Sequence, residues 1–83
     1  MFHKVSEVKP LPGMELLVTF SSGDTKRYDV KPLLDRWEPF RALRRKRLFE
    51  RVTVDTGGYG IVWDDTLDLS CNELWEHGTE VPA

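Results

Sequence analysis

Glu15-Leu16-Leu17-Val18-Thr19-Phe20, Ser21-Ser22-Gly23-Asp24 and Thr25-Lys26-Arg27-Tyr28-Asp29-Val30 follow one another without interruption, and they decide the fold. In the first six residues Leu16, Val18 and Phe20 recur at period two, which puts them on one face of a strand. Leu17 falls on the opposite face, so that face is also partly covered, as in a central strand. The next four residues are turn formers: Ser and Asp side chains bond back to the local backbone, and Gly accepts a positive φ. In the last six, Tyr28 and Val30 alternate with Arg27 and Asp29. Residues 15–30 therefore read as an antiparallel hairpin.

Working outward, Pro10, Pro12 and Gly13 separate this hairpin from an earlier short strand at about residues 3–9. On the other side, Pro32 suits the first turn of a short helix carrying Leu33 and Leu34. Trp37 and Pro39 interrupt it. Phe40, Leu43, Leu48, Phe49 and Val52 resume a helical spacing, so residues 40–50 read as one or two helical turns with their apolar side on the sheet. Residues 51–55 alternate as a strand, Thr56-Gly57-Gly58 is a turn, and Tyr59, Ile61 and Trp63 alternate again. Asp64-Asp65 turns the chain into Leu67-Asp68-Leu69. Ser70 and Glu73 have capping-box spacing for a last short helix bearing Cys71, Leu74 and Trp75 on one face, with Gly78 as its stop.

The 83 residues suffice for one domain, expected to span 1–83 with an ordered core at about 3–78 and a loose tail at 79–83. A chain this short buries only about 60–65% of its unfolded surface, which predicts a thin core. Hydrophobic residues at 40%, nine of them aromatic, exclude a disordered chain. No apolar run approaches the roughly 20 residues of a membrane span. Cys71 stands alone, so no internal disulfide forms. Charges interrupt the first five residues at once, unlike an export signal, and the expected location is cytoplasmic. The fold class expected is α+β: a small antiparallel sheet of about four to six strands, with short helices mainly on one face.

A resemblance adds to this reading. Val8-Lys9-Pro10-Leu11, Leu16-Leu17-Val18-Thr19-Phe20-Ser21-Ser22-Gly23 and Tyr28-Asp29-Val30 resemble a bacterial family. So do Leu48-Phe49 before Val52, Gly57-Gly58-Tyr59-Gly60-Ile61-Val62-Trp63, and Asp68-Leu69-Ser70 before Leu74-Trp75. The sequence is similar to domain-of-unknown-function family 2442 from about Val5 to Trp75, where the family often has Tyr in place of Trp75. The resemblance implies a small bacterial or phage-associated α+β domain, standing alone or fused to a helical DNA-binding-like segment. It also implies a neighbour-encoded small protein as partner, in a toxin–antitoxin-like or regulatory pairing. It supplies no catalytic residues, and the run Arg44-Arg45-Lys46-Arg47 lies outside its pattern.

Charge is segregated along the chain. Residues 1–35 are balanced, residues 36–51 carry seven cations against two carboxylates, and residues 52–83 carry seven carboxylates and no cation. Arg41, Arg44, Arg45, Lys46 and Arg47, with Trp37, Phe40 and Phe49 interleaved, form the candidate interaction surface. Such a face can track a phosphate backbone. It can equally meet an acidic protein partner or the acidic third of a second copy. The plainer reading is a solvated face that pairs with the molecule's own carboxylates. A net charge of −2 and a pI near 5.6 weigh against a dedicated nucleic-acid domain.

The remaining constellations favour structural roles. Asp55, Asp64, Asp65 and Asp68 can do acid–base work or hold a divalent ion, but they lack calcium-loop spacing and better suit turns. His3 and His77 sit at opposite ends with no ligand partner at zinc spacing. Nothing in the sequence supports a nucleophile triad with Ser22 or Ser70, since there is no Gly-x-Ser-x-Gly elbow. Cys71, just inside a helix start, reads as a small core residue rather than an activated thiol. Gly57-Gly58-Tyr59-Gly60 has no Lys-Ser/Thr to complete a phosphate loop and reads as a turn with a bulge. Trp37, Trp63 and Trp75 read as core anchors, and any of them found exposed would mark an interface.

The residues thus favour a non-enzymatic protein-interaction or regulatory module with no catalytic, cofactor or metal site. Nucleic-acid binding through residues 41–47 comes second. A small enzyme with a carboxylate site at a dimer interface comes third.

Overall fold

A computed structural model describes residues 2–81 of the chain. In chain order the elements are β1 (Val5–Leu11), β2 (Glu15–Phe20), β3 (Thr25–Asp29), α1 (Lys31–Arg36) and a 3₁₀ segment, Glu38–Arg44. There follow α2 (Lys46–Phe49), β4 (Thr53–Val54), a 3₁₀ turn at Thr56–Gly58, β5 (Gly60–Asp64), β6 (Leu67–Ser70), α3 (Cys71–His77) and β7 (Thr79–Glu80). The α+β class and the antiparallel pairing are as the sequence implies.

The central hairpin forms in the expected register, from Glu15 opposite Asp29 to Thr19 opposite Thr25. Its turn is closed by the Phe20 amide on the Asp24 carbonyl at 2.8 Å and the Ser22 hydroxyl on the Asp24 carboxylate at 2.7 Å. Leu16, Val18, Phe20, Tyr28 and Val30 are buried, while Leu17 is half-buried on the other face. This is the period-two signal realised as a core. β1 pairs along β2, with a bulge between Val5 and Glu7.

The strands divide into two sheets rather than one. The first has order β1-β2-β3-β7 and the second β4-β5-β6. The division follows from the long helical excursion at residues 31–50, after which the chain starts a new meander instead of rejoining β3. β4 and β5 approach β1, and α3 packs against β3, β5 and β6, so this one helix ties the sheets together. Leu74 and Cys71 are its buried residues, which places the cysteine in the core as expected.

Two terminal readings change. Thr79–Glu80 were expected in a loose tail, but they pair with Lys26 and Arg27, and the Val81 amide donates to the Thr25 carbonyl at 3.0 Å. The rest of that expected tail, Pro82 and Ala83, lies outside the described residues. The capping box forms by half: the Ser70 hydroxyl accepts from the Glu73 amide at 3.1 Å. The Glu73 carboxylate turns elsewhere, accepting from the Tyr28 hydroxyl at 2.7 Å and lying 3.1 Å from His77 Nδ1. A cross-element bond to a buried phenol outcompetes the local one because an unpaired buried hydroxyl is costly.

The bulge that the glycines suggest for the strand after the turn does not fall at Gly60. Gly60 is instead paired in β5 opposite Ser70, and a Cβ there would lie 2.3 Å from the Leu69 carbonyl oxygen. The glycine permits close backbone approach, and the register irregularity falls later, between Val62 and Asp64.

Candidate interaction surface

The cationic segment owes its shape to two breaks. Trp37 and Arg45 both adopt extended backbone, separating α1, the 3₁₀ segment and α2. Pro39 sits in the first turn of the 3₁₀ segment, where its missing N–H costs nothing. Leu43 and Phe49 then point inward and are buried, leaving Arg44, Arg45, Lys46 and Arg47 between them exposed. The segment is fastened from the second sheet: the Trp63 indole N–H donates to the Phe49 carbonyl at 3.1 Å. Phe40 meets the Trp63 ring edge-on with centroids 6.2 Å apart.

The five candidate residues are not equivalent. Arg41 donates from Nε to the Leu34 carbonyl at 3.1 Å, so it closes the end of α1. The other four have no such tie. Ion pairs among the described residues join Lys9 to Glu7, Arg27 to Glu15, Lys31 to Asp29 and His77 to Glu73. None of them involves a cation of the 36–51 segment. Among the described residues, then, this face forms no ion pair with the acidic third of the chain, contrary to the plain reading.

Beside this face lies a groove of about 430 Å³. One wall is the end of β1 and the turn after it, with Pro10, Leu11 and Met14. The other is Leu43, Arg44, Lys46, Phe49 and Glu50. Met14 holds φ +59°, a left-handed conformation unusual for a side-chain-bearing residue, so the turn is strained where it borders the groove. The sequence shows both walls but not that they face each other, because the contact joins segments some thirty residues apart.

The aromatic residues divide as well. Trp63 is buried and Trp75 half-buried, but Trp37 is 50% exposed and so is not the core anchor expected. It borders a shallower depression with Leu33, Phe40, Asp68 and Glu73. Trp75 is clasped by His3, whose ring stacks on it at 3.6 Å and 4°, and by the Lys26 ammonium 4.2 Å from its ring centroid. Lys26 also donates to the Trp75 carbonyl.

The aspartates take separate positions. Asp64 Oδ1 accepts from the Thr66 amide at 2.8 Å, the Thr66 hydroxyl at 2.9 Å and the Leu67 amide at 3.0 Å. The Thr66 bonds foremost, with help from Leu67 and Arg51, hold its carboxyl below the usual range. Asp65 and Asp68 are exposed, and Asp55 is half-buried with one carboxylate oxygen unpartnered. Among the described residues no three His, Cys, Asp or Glu side chains converge to hold a metal.

The cluster that sequence reading missed is Tyr28, Glu73 and His77, which share a cleft of about 420 Å³ with Arg27 and Arg36. Burial, then the bond to Glu73 and its charge, raise the Tyr28 hydroxyl well above the ordinary phenol range, with Arg36 opposing. Its role is to satisfy a buried phenol, and only the i, i+4 spacing of Glu73 and His77 was visible in advance. None of the described helices is long and apolar enough to cross a membrane.

Comparison with known proteins gives three findings. No curated protein matches the chain. The fold is similar to the crystal structure of "Putative DNA Binding Protein NE0471" from Nitrosomonas europaea ATCC 19718, with a TM-score of 0.72 at 23% identity. That match covers 88% of this chain and 46% of the other, so this chain spans less than half of that protein. The family described as "Protein of unknown function (DUF2442)" matches residues 5–80, which is nearly the whole chain, and the protein belongs to that family.

Proposed function

We propose that the protein is a non-enzymatic interaction or regulatory module of the bacterial cytoplasm, acting as one domain that docks a protein partner on its basic face. One observation carries this reading. Arg44, Arg45, Lys46 and Arg47 are exposed, and none of them forms an ion pair among the described residues. Four adjacent unpaired cations repel one another and are most stable when an external anion neutralises them. The apolar groove alongside gives a protein partner something beyond charge to bind.

The test is chemical cross-linking in cells that naturally make the protein, comparing wild type with the triple variant Arg44→Glu, Arg45→Glu, Arg47→Glu. A protein captured by the first and lost from the second is the expected result. Equal capture by both, or none by either, rejects the reading.

A second reading is nucleic-acid binding through the same cations. It is favoured by the name of the structural neighbour, although the match covers only 46% of the chain that bears that name. Anisotropy titrations of labelled DNA and RNA, at low and near-physiological salt, separate the two. Binding that falls steeply with salt and vanishes in the triple variant would put nucleic acid first.

A further inference from the structure

We infer that the groove between residues 10–14 and residues 43–50 receives an extended acidic peptide segment of a partner protein, anchored by one bulky apolar side chain. The inference rests on the proposed protein-docking role and names its chemistry. Charge and lining argue for it together. Arg44 and Lys46 stand on the rim, and the half-buried Pro10, Leu11 and Met14 supply apolar surface over a floor closed by Leu43 and Phe49. A ligand that satisfies both must carry carboxylates and an apolar side chain close together in sequence.

Phosphate backbones fit this arrangement less well. They would use the cations of the rim alone and leave the apolar walls without a contact. A second copy of the chain fits less well too. The acidic third owns suitable carboxylates, but its Leu67, Leu69 and Leu74 are buried in its own core, and its exposed Tyr59 is flanked by the Phe2 ring and the Lys4 ammonium, which would bring a further cation against Arg44 and Lys46. Trp75 is held by His3 and Lys26. The occupant must therefore come from another protein.

The mode of binding also follows. β1 is the outer strand of the first sheet, and its end forms one wall. Pro10 offers no N–H there, so a peptide cannot extend the sheet by a regular ladder at that point. Side-chain capture in the groove, rather than strand addition, must supply the affinity.

The experiment is selection from a displayed library of random dodecapeptides, with the whole chain as bait. The expected consensus has two or more Asp or Glu residues around a Leu, Met or Phe. The selected peptide should bind about tenfold more weakly to the double variant Arg44→Glu, Lys46→Glu, and more weakly in high salt. Met14→Asn should independently weaken it by about fivefold or more. Asn tolerates the left-handed backbone better than Met, which offsets the core packing that Met14 gives up, and a thermal melt checks that the variant stays folded. A consensus without acidic residues, no consensus, or affinity indifferent to Met14 overturns the inference. So does self-association lost on Arg44→Glu, Lys46→Glu, or duplex DNA binding that depends on the cations but not on Met14. If selection fails while cross-linking still captures a protein through the basic face, the docking role stands and only the peptide chemistry falls.

Discussion

Tyr28 shows how a single residue joins distant parts of the chain. Its ring belongs to the core of the first sheet, and its hydroxyl reaches Glu73 on α3. Removing that hydroxyl with Tyr28→Phe should cost about 1 kcal/mol of stability, read from urea unfolding at neutral pH. The pH dependence has a definite sign. The folded state holds the phenol proton more tightly than the unfolded state, so this contribution is present below about pH 10 and is lost as pH rises through the higher folded value. The phenylalanine variant should therefore lose part of the wild type's alkaline sensitivity. Asp64 has the opposite sign. Its folded carboxyl is the stronger acid, so its contribution is present above about pH 4 and is lost as pH falls further. Asp64→Asn should lower stability slightly at neutral pH, where the carboxylate contributes, and flatten the acid limb of the profile. Acid unfolding with unaltered pH dependence would remove Asp64 from the turn's stabilising set.

At the level of elements, β5 and the 3₁₀ segment make different demands. In β5, Gly60→Ala places a methyl against the Leu69 carbonyl of β6. Something must shift in the three-stranded sheet, and a loss of more than about 2 kcal/mol is expected from thermal melts. In the 3₁₀ segment, Leu43 is the buried residue beneath the cations. Leu43→Ala should cost about 2–5 kcal/mol, measured by denaturant unfolding, and should loosen the groove wall along with it. The hairpin at residues 15–30 was legible because alternation and turn chemistry agree within sixteen residues. The helical excursion was legible from Pro32 and the i, i+3 spacing of Phe40 and Leu43. The split into two sheets was not, since both strand sets carry the same period-two signal and nothing local states which strands share a ladder. Thr79 and Glu80 were missed for a related reason. Their pairing with β3 depends on where α3 delivers the chain, and a two-residue strand has no periodicity to read.

For the whole molecule, the cationic run was plain in the sequence, but its meaning depended on tertiary facts. Exposure without ion pairing, the tie between Arg41 and Leu34, and the groove beside Arg44 and Lys46 all arise from segments brought together by folding. Composition suggested internal neutralisation between the basic and acidic stretches, but among the described residues folding forms no ion pair between them, and only Arg51 acts on an acidic-stretch carboxylate, Asp64. The aromatic residues were legible as a class but not as individuals, because burial of a tryptophan depends on what the opposite element contributes. The three indoles consequently sit in three optical environments. Trp63 is enclosed, Trp75 is sandwiched by an imidazole and an ammonium, and Trp37 meets water beside the Arg36 guanidinium, 5.9 Å from its ring. The protein thus carries a built-in reporter at the start of its cationic segment. Iodide, drawn to that guanidinium, should selectively quench the long-wavelength part of the emission, and caesium should do so far less effectively. Trp37→Phe should leave a shorter-wavelength spectrum that iodide barely touches. An unchanged quenching curve in that variant would mean that another indole is the one exposed.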